Sequence, residues 1–117
     1  MVAKKKVAQS MNAESRTSTR KPLRCQAVLS FPNMAPIRVR TKDISLGGVS
    51  VLMPEQVATG LACMITFEAP MNGRVLRVSA NAKVAYSILS STDGFRTGLQ
   101  FTQIDPASNR ALAELMI

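Results

Sequence analysis

A chain of 117 residues has the size of one domain, and its formal charge of +8, with 15 Lys and Arg against 7 Asp and Glu, points to an anionic partner rather than to any fold. The absence of His removes the commonest general base and metal ligand together, and two Cys without neighbouring His or Cys exclude a structural zinc set. The acids Asp43, Glu55, Glu68, Asp93, Asp105 and Glu114 are scattered and form no catalytic pair, and no Gly-rich phosphate loop opens a helix, so an enzyme is not expected.

Residues 1–19 are predicted to be a flexible basic leader, because apart from Val2 and Val7 they lack large aliphatic residues and cannot offset the entropy of ordering. Seven cations and one acid fall in residues 1–24, so that segment carries +6 of the +8. The leader has no signal-peptide core and no segment has the length of a membrane span, which leads to the expectation of a cytoplasmic protein with both Cys25 and Cys63 reduced and packed.

From residue 20 the chain reads as a single domain, 20–117, built of short strands. "TRKPLRC" at 19–25 sets Arg20 and Arg24 around Pro22, which fixes its own φ and pushes Lys21 toward extended geometry, so the two arginines are predicted on an extended arm. Turn residues in "FPNMAP" precede the alternating "PIRVRT". "DISLGG" at 43–48 is a turn leading into an apolar run that Pro54 stops, a further strand.

"CMITFE" alternates with Cys63, Ile65 and Phe67 on one face, and Asn-Gly in "APMNGR" supplies a hairpin turn. In "RVSANAKVAYSI" a period of two places Val78, Ala80, Ala82, Val84, Tyr86 and Ile88 on one side, the expected core side. "STDGF" is a second turn, and "FRTGLQF" aligns Phe95, Leu99 and Phe101. Asp105 as cap, Pro106 at the first position and Leu112, Leu115 and Met116 at helical spacing predict a short terminal helix against the sheet.

Half a dozen antiparallel strands must hide their edges, and closure into a small barrel does so at this length, with a sandwich as the alternative. Five aromatic residues are few for a base-stacking surface, and the folded part is expected to carry no strongly basic face, which weighs against a nucleic-acid-binding barrel.

Taken singly, Asp43, Ser45, Gly47 and Gly48 are good turn residues, and R-x-x-x-R arises easily in a basic leader. Taken together, an R-x-x-x-R before the first strand and a D-x-S-x-x-G about twenty residues later, after one hairpin, resemble the PilZ domain family. The resemblance extends from Arg20 to the C-terminus and includes "GLQF" at 98–101. It implies an all-β fold, a six-stranded antiparallel barrel with a short C-terminal helix. It also implies a receptor for the bacterial second messenger cyclic di-GMP that acts on a protein partner, with no other cofactor, no nucleic acid and no membrane.

The resemblance marks Arg20, Arg24, Asp43, Ser45 and Gly48 as ligand-binding residues. "RTSTR" at 16–20 offers an overlapping register, Arg16 with Arg20; the pair Arg20 and Arg24 is preferred because Arg24 abuts the first strand. The chemistry suits the ligand: guanidinium can grip phosphate or the guanine O6 and N7 with paired hydrogen bonds and can stack on a base, and a carboxylate can accept from guanine N–H groups. A PilZ-like adaptor that binds protein but no nucleotide is the alternative within the family.

Overall fold

The computed structural model describes residues 19–90 and 94–117. Most of the leader, Arg16 with it, and Asp93 of the "STDGF" turn lie outside the described residues. Seven strands and one helix follow: β1 Lys21–Pro22, β2 Gln26–Ser30, β3 Ile37–Ser45, β4 Gly48–Met53, β5 Ala62–Met71, β6 Arg74–Leu89, β7 Phe95–Ile104 and α1 Pro106–Leu115.

Six of the strands close into an antiparallel barrel in the order β3-β2-β5-β6-β7-β4, with β4 returning to β3, as the sequence predicts. The seventh, β1, is laid on the same edge of β3 as β2. β1 and β2 are thus two parts of one extended arm, interrupted at residues 23–25. Thr41 stitches the interruption: its Oγ1 accepts from the Cys25 N–H at 3.0 Å and donates to the Leu23 carbonyl at 2.5 Å. A Thr that is 1% exposed is thereby satisfied, as a buried hydroxyl must be.

Alternation along the strands fills the barrel with Leu29, Ile44, Val49, Val51, Ile65, Phe67, Val78 and Val84, all 0–1% exposed. α1 adds Leu112 and Leu115 to the same core. Its start follows from capping: Asp105 accepts from the Ser108 N–H at 2.7 Å, Pro106 needs no donor partner, and Ser108 Oγ accepts from the Ser79 N–H on β6. The β5–β6 hairpin turns at Asn72 and Gly73, with φ of 50° and 78°, the pair of positive values that a two-residue turn between strands requires.

One expectation about the core is overturned. β6 carries a bulge between Val84 and Tyr86, so Ala85 is a surplus residue and the alternation changes phase there. Tyr86 and Ile88 are 37% and 55% exposed, whereas Ser87 turns inward and meets Thr97 Oγ1 at 3.1 Å. β3 has a comparable irregularity between Thr41 and Asp43. It leaves Val39, Thr41 and Ile44 inside and Arg40 and Asp43 on the outer surface.

Candidate functional site

The two short motifs, about twenty residues apart in the chain, are brought side by side because the arm pairs with the motif strand: Lys21 is opposite Ile44 and Pro22 opposite Asp43. Arg20 then reaches the acid. Its Nε donates to Asp43 Oδ1 at 2.7 Å and its Nη2 lies 2.6 Å from the same oxygen, while Nη1 is 3.5 Å from Ser45 Oγ. The Asp43 carboxylate is 14% exposed, and its second oxygen accepts from Arg96 of β7. Asp43 therefore stands between two guanidinium groups.

Ser45 is 1% exposed and its Oγ ties the hairpin turn, accepting from the Gly47 N–H at 3.2 Å and standing 3.4 Å from the Gly48 carbonyl. Gly48 has a structural reason of its own: a Cβ there would come within 2.2 Å of the Leu99 carbonyl oxygen of β7. Gly47, by contrast, has open space where a Cβ would go. Arg24 is exposed, at the interruption between β1 and β2, and forms no ion pair among the described residues.

Lys21, between the two arginines in sequence, points to the opposite end of the arm's task. Its Nζ donates to the carbonyls of Leu115 and Ile117, both at 3.0 Å, so the arm is tied to the end of α1, where a cation also complements the helix dipole.

The register continues the site across the sheet. Asp43 faces Ser50 on β4, Ser50 faces Gly98 on β7, and Gly98 faces Tyr86 on β6. A parallel row runs Arg40, Leu52, Arg96 and Ile88. Folding thus gathers Arg20, Arg40 and Arg96 on one outer face, two of them paired with the Asp43 carboxylate. Sequence reasoning missed Arg96, although alternation in "FRTGLQF" does place it on the outer side; which strand would lie beside it is set by barrel closure, a long-range fact.

Concavities among the described residues lie elsewhere. One, of about 500 Å³, is lined by Gln26, Arg38, Thr66, Glu68 and Arg77, one of about 460 Å³ by Met64, Ser79, Asn81, Gln103 and Asp105, and an apolar one of about 310 Å³ by Phe31, Met34, Met53, Val57 and Leu61; none of the three includes a motif residue. Burial pushes the Cys63 thiol up to about 11, which makes it a packing residue and a poor nucleophile. No group of three metal-ligating side chains occurs among the described residues, and no described helix is long and apolar enough to cross a membrane.

Comparison with solved structures shows the same fold at low identity. The inhibitor of motility MotI/DgrA of Bacillus subtilis superposes with a TM-score of 0.74 at 16% identity, over 86% of this chain and 48% of that one. The PilZ domain of YcgR from Escherichia coli, solved with c-di-GMP, gives 0.56 at 16% identity over 84% and 86%, and the K. pneumonia MrkH–c-di-GMP complex 0.61 at 15% over 85% and 49%. The chain spans about half the length of the motility inhibitor and of MrkH. No curated protein sequence matches it. A family model for the PilZ domain matches residues 14–117, nearly the whole sequence, and the chain belongs to the PilZ domain family.

Proposed function

We propose that this protein is a cyclic di-GMP receptor, not an enzyme, which binds the nucleotide where the arginine arm lies along β3 and passes the signal to a protein partner in the cytoplasm. The observation that carries the reading is the pairing of the arm with the motif strand, which holds Arg20 against Asp43 and within reach of Ser45. The PilZ domain of YcgR and MrkH, both solved with c-di-GMP, support the ligand, and the likeness to an inhibitor of motility supports motility as a process in which the signal acts.

Two phosphodiesters and two guanines need cations, hydrogen-bond acceptors for the guanine N–H groups and flat groups to stack on. Arg20 and Arg24 supply the first and last of these, Asp43 the second, and Ser45 a hydroxyl at the edge. The guanine N1–H and N2–H would take over the Asp43 carboxylate, exchanging an intramolecular ion pair for a ligand contact. Arg20 and Arg96, which this exchange releases from Asp43, are then free to meet phosphate or a guanine Hoogsteen edge. The response is a rearranged arm. Because β1 makes only a two-residue pairing and Lys21 anchors it to α1, its displacement changes the surface at the end of the helix as well. Motility, pili, surface polysaccharide and virulence are the processes in which such a change would act.

Calorimetric titration with cyclic di-GMP, beside GTP and a single-stranded oligonucleotide at two salt concentrations, tests the reading. Saturable binding of cyclic di-GMP alone is expected, with Asp43→Ala and Ser45→Ala weakening it while the cooperative unfolding transition persists. Absence of binding by the parent protein supports the adaptor alternative; salt-sensitive binding of the oligonucleotide alone supports the nucleic-acid barrel.

A further inference from the structure

We propose that the nucleotide site continues beyond the two short motifs, across β4 onto β7 and β6, and that Tyr86 is a stacking surface for one guanine; this rests on the cyclic di-GMP reading. Tyr86 is the protein's one tyrosine, and there is no tryptophan. The bulge at Ala85 turns it out of the core and sets it opposite Gly98. The place a Cβ at 98 would occupy lies 2.2, 2.5 and 2.8 Å from three consecutive ring carbons, Cε2, Cζ and Cδ2. Such closely similar distances to neighbouring atoms put the glycine under the face of the ring, not off its edge.

Covering a strand glycine accounts for one face of the ring. The residue is still 37% exposed, so part of the side chain is open to solvent. It belongs to the same row as Asp43, two strand spacings away from Gly98 by way of Ser50, a distance of about 10 Å and within the span of a cyclic dinucleotide. The space between is bridged by Arg96, whose guanidinium leaves β7, passes over β4 and ends on Asp43.

Ser50 gives an independent indication. Its side chain is on the outer side of β4, since Val49 and Val51 face the core, yet the residue is 0% exposed and its Oγ has no hydrogen-bond partner among the described residues. A buried hydroxyl without a partner is uncommon and calls for a reason. Arg96 reaches from β7 across β4 to Asp43, the residue paired with Ser50; on this proposal, a ligand that takes Asp43 and displaces Arg96 opens the hydroxyl between the carboxylate and the ring. The strip Asp43, Ser50, Gly98 and Tyr86 is then a floor for the nucleotide, polar at one end and aromatic at the other.

The single tyrosine makes the test direct. Tyrosine emission of the parent protein is followed during titration with cyclic di-GMP, corrected for absorption with free N-acetyltyrosinamide, with calorimetry on the same samples and the Tyr86 ring protons followed by NMR. Stacking predicts quenching that saturates with the calorimetric isotherm and upfield ring shifts. Tyr86→Phe should bind like the parent, and Tyr86→Leu, which still covers Gly98 but has no π face, about ten-fold more weakly or worse. Binding by calorimetry with unchanged emission and unshifted ring protons overturns the extension while leaving the receptor reading intact. No calorimetric binding by the parent overturns both.

Discussion

Gly48→Ala separates two roles that the last residue of D-x-S-x-x-G could have, close approach to a ligand or close approach of one strand to another. The added Cβ would stand 2.2 Å from the Leu99 carbonyl oxygen, where contacts under 3.0 Å are essentially never tolerated. β4 and β7 would have to separate by close to an ångström beside the pairs Gly48–Gln100 and Val49–Leu99. β4 cannot drift away freely, because its other edge is held by β3 through Ser45, Ile44 and Asp43. Overpacking of this kind costs about 1–3 kcal/mol. For a domain of this size each kcal/mol is worth roughly 4–8 °C in Tm, so a fall on the order of 10 °C is expected. Urea denaturation should show a lower midpoint at unchanged slope, and hydrogen exchange should speed up at Val49 and Val51. Gly47→Ala is the matched control, with nothing within 4 Å of its Cβ, and should stay within about 0.5 kcal/mol of the parent. A Gly48→Ala protein with the parent's midpoint but no cyclic di-GMP binding would refute the packing argument and put the glycine against the ligand.

Arg20→Ala and Arg24→Ala should each weaken cyclic di-GMP binding by roughly ten- to a hundred-fold, the worth of hydrogen bonds to a charged group, with Lys at either position recovering little; calorimetry at about 0.15 M salt measures this. Arg16→Ala should have a small effect that shrinks as salt rises, and a loss equal to that of Arg20→Ala with a mild Arg24→Ala would assign the arginine pair to 16 and 20. Lys21→Met keeps the stem but loses the two bonds to the Leu115 and Ile117 carbonyls, and should lower stability by about 1–2 kcal/mol and raise exchange in the last turn of α1, read by denaturation and amide exchange. Cys63 titrates at about 11 in the fold against 9.0 when unperturbed, so its contribution is complete below about pH 9 and lost as pH rises through 11; the stability difference between the parent and Cys63→Ala should shrink over that window, and alkylation at pH 8 should be slow until the protein unfolds.

The strands and the terminal helix were legible because each buries one face, which imprints a period of two or a run such as Leu112, Leu115 and Met116 on the sequence. Closure into a barrel followed from the need to hide edges. Arg20, Asp43 and Ser45 could be found because a short spacing carries them, and their meeting depends on a pairing between neighbouring segments. Arg96 could not, since it lies 53 residues from Asp43 and becomes its neighbour through the order of strands around the ring. The exposure of Tyr86 was hidden for another reason: one surplus residue inverts every later position, and nothing in the composition of "AKVAYSI" marks which residue is surplus. Lys21 shows the same limit, as its helix-end carbonyls are 94 and 96 residues away.

That surplus residue has a consequence for how the chain can change length. Beyond Val84 the pairs of β6 with β7 resume at Tyr86 and Gly98 and run regularly to Leu89 and Phe95. Removing Ala85 would make Val84 and Tyr86 adjacent, one inward and one outward, which is how they already point. β6 therefore has one residue that it can lose without exchanging its inside for its outside. β4 is different: its six pairs with β7 run without interruption from Gly48 to Met53, and a residue lost from its middle would send either the core valines or Ser50 to the wrong side. Length variation at this face should thus be absorbed in the strand that carries the aromatic ring, while the strand beneath Arg96 keeps a fixed count.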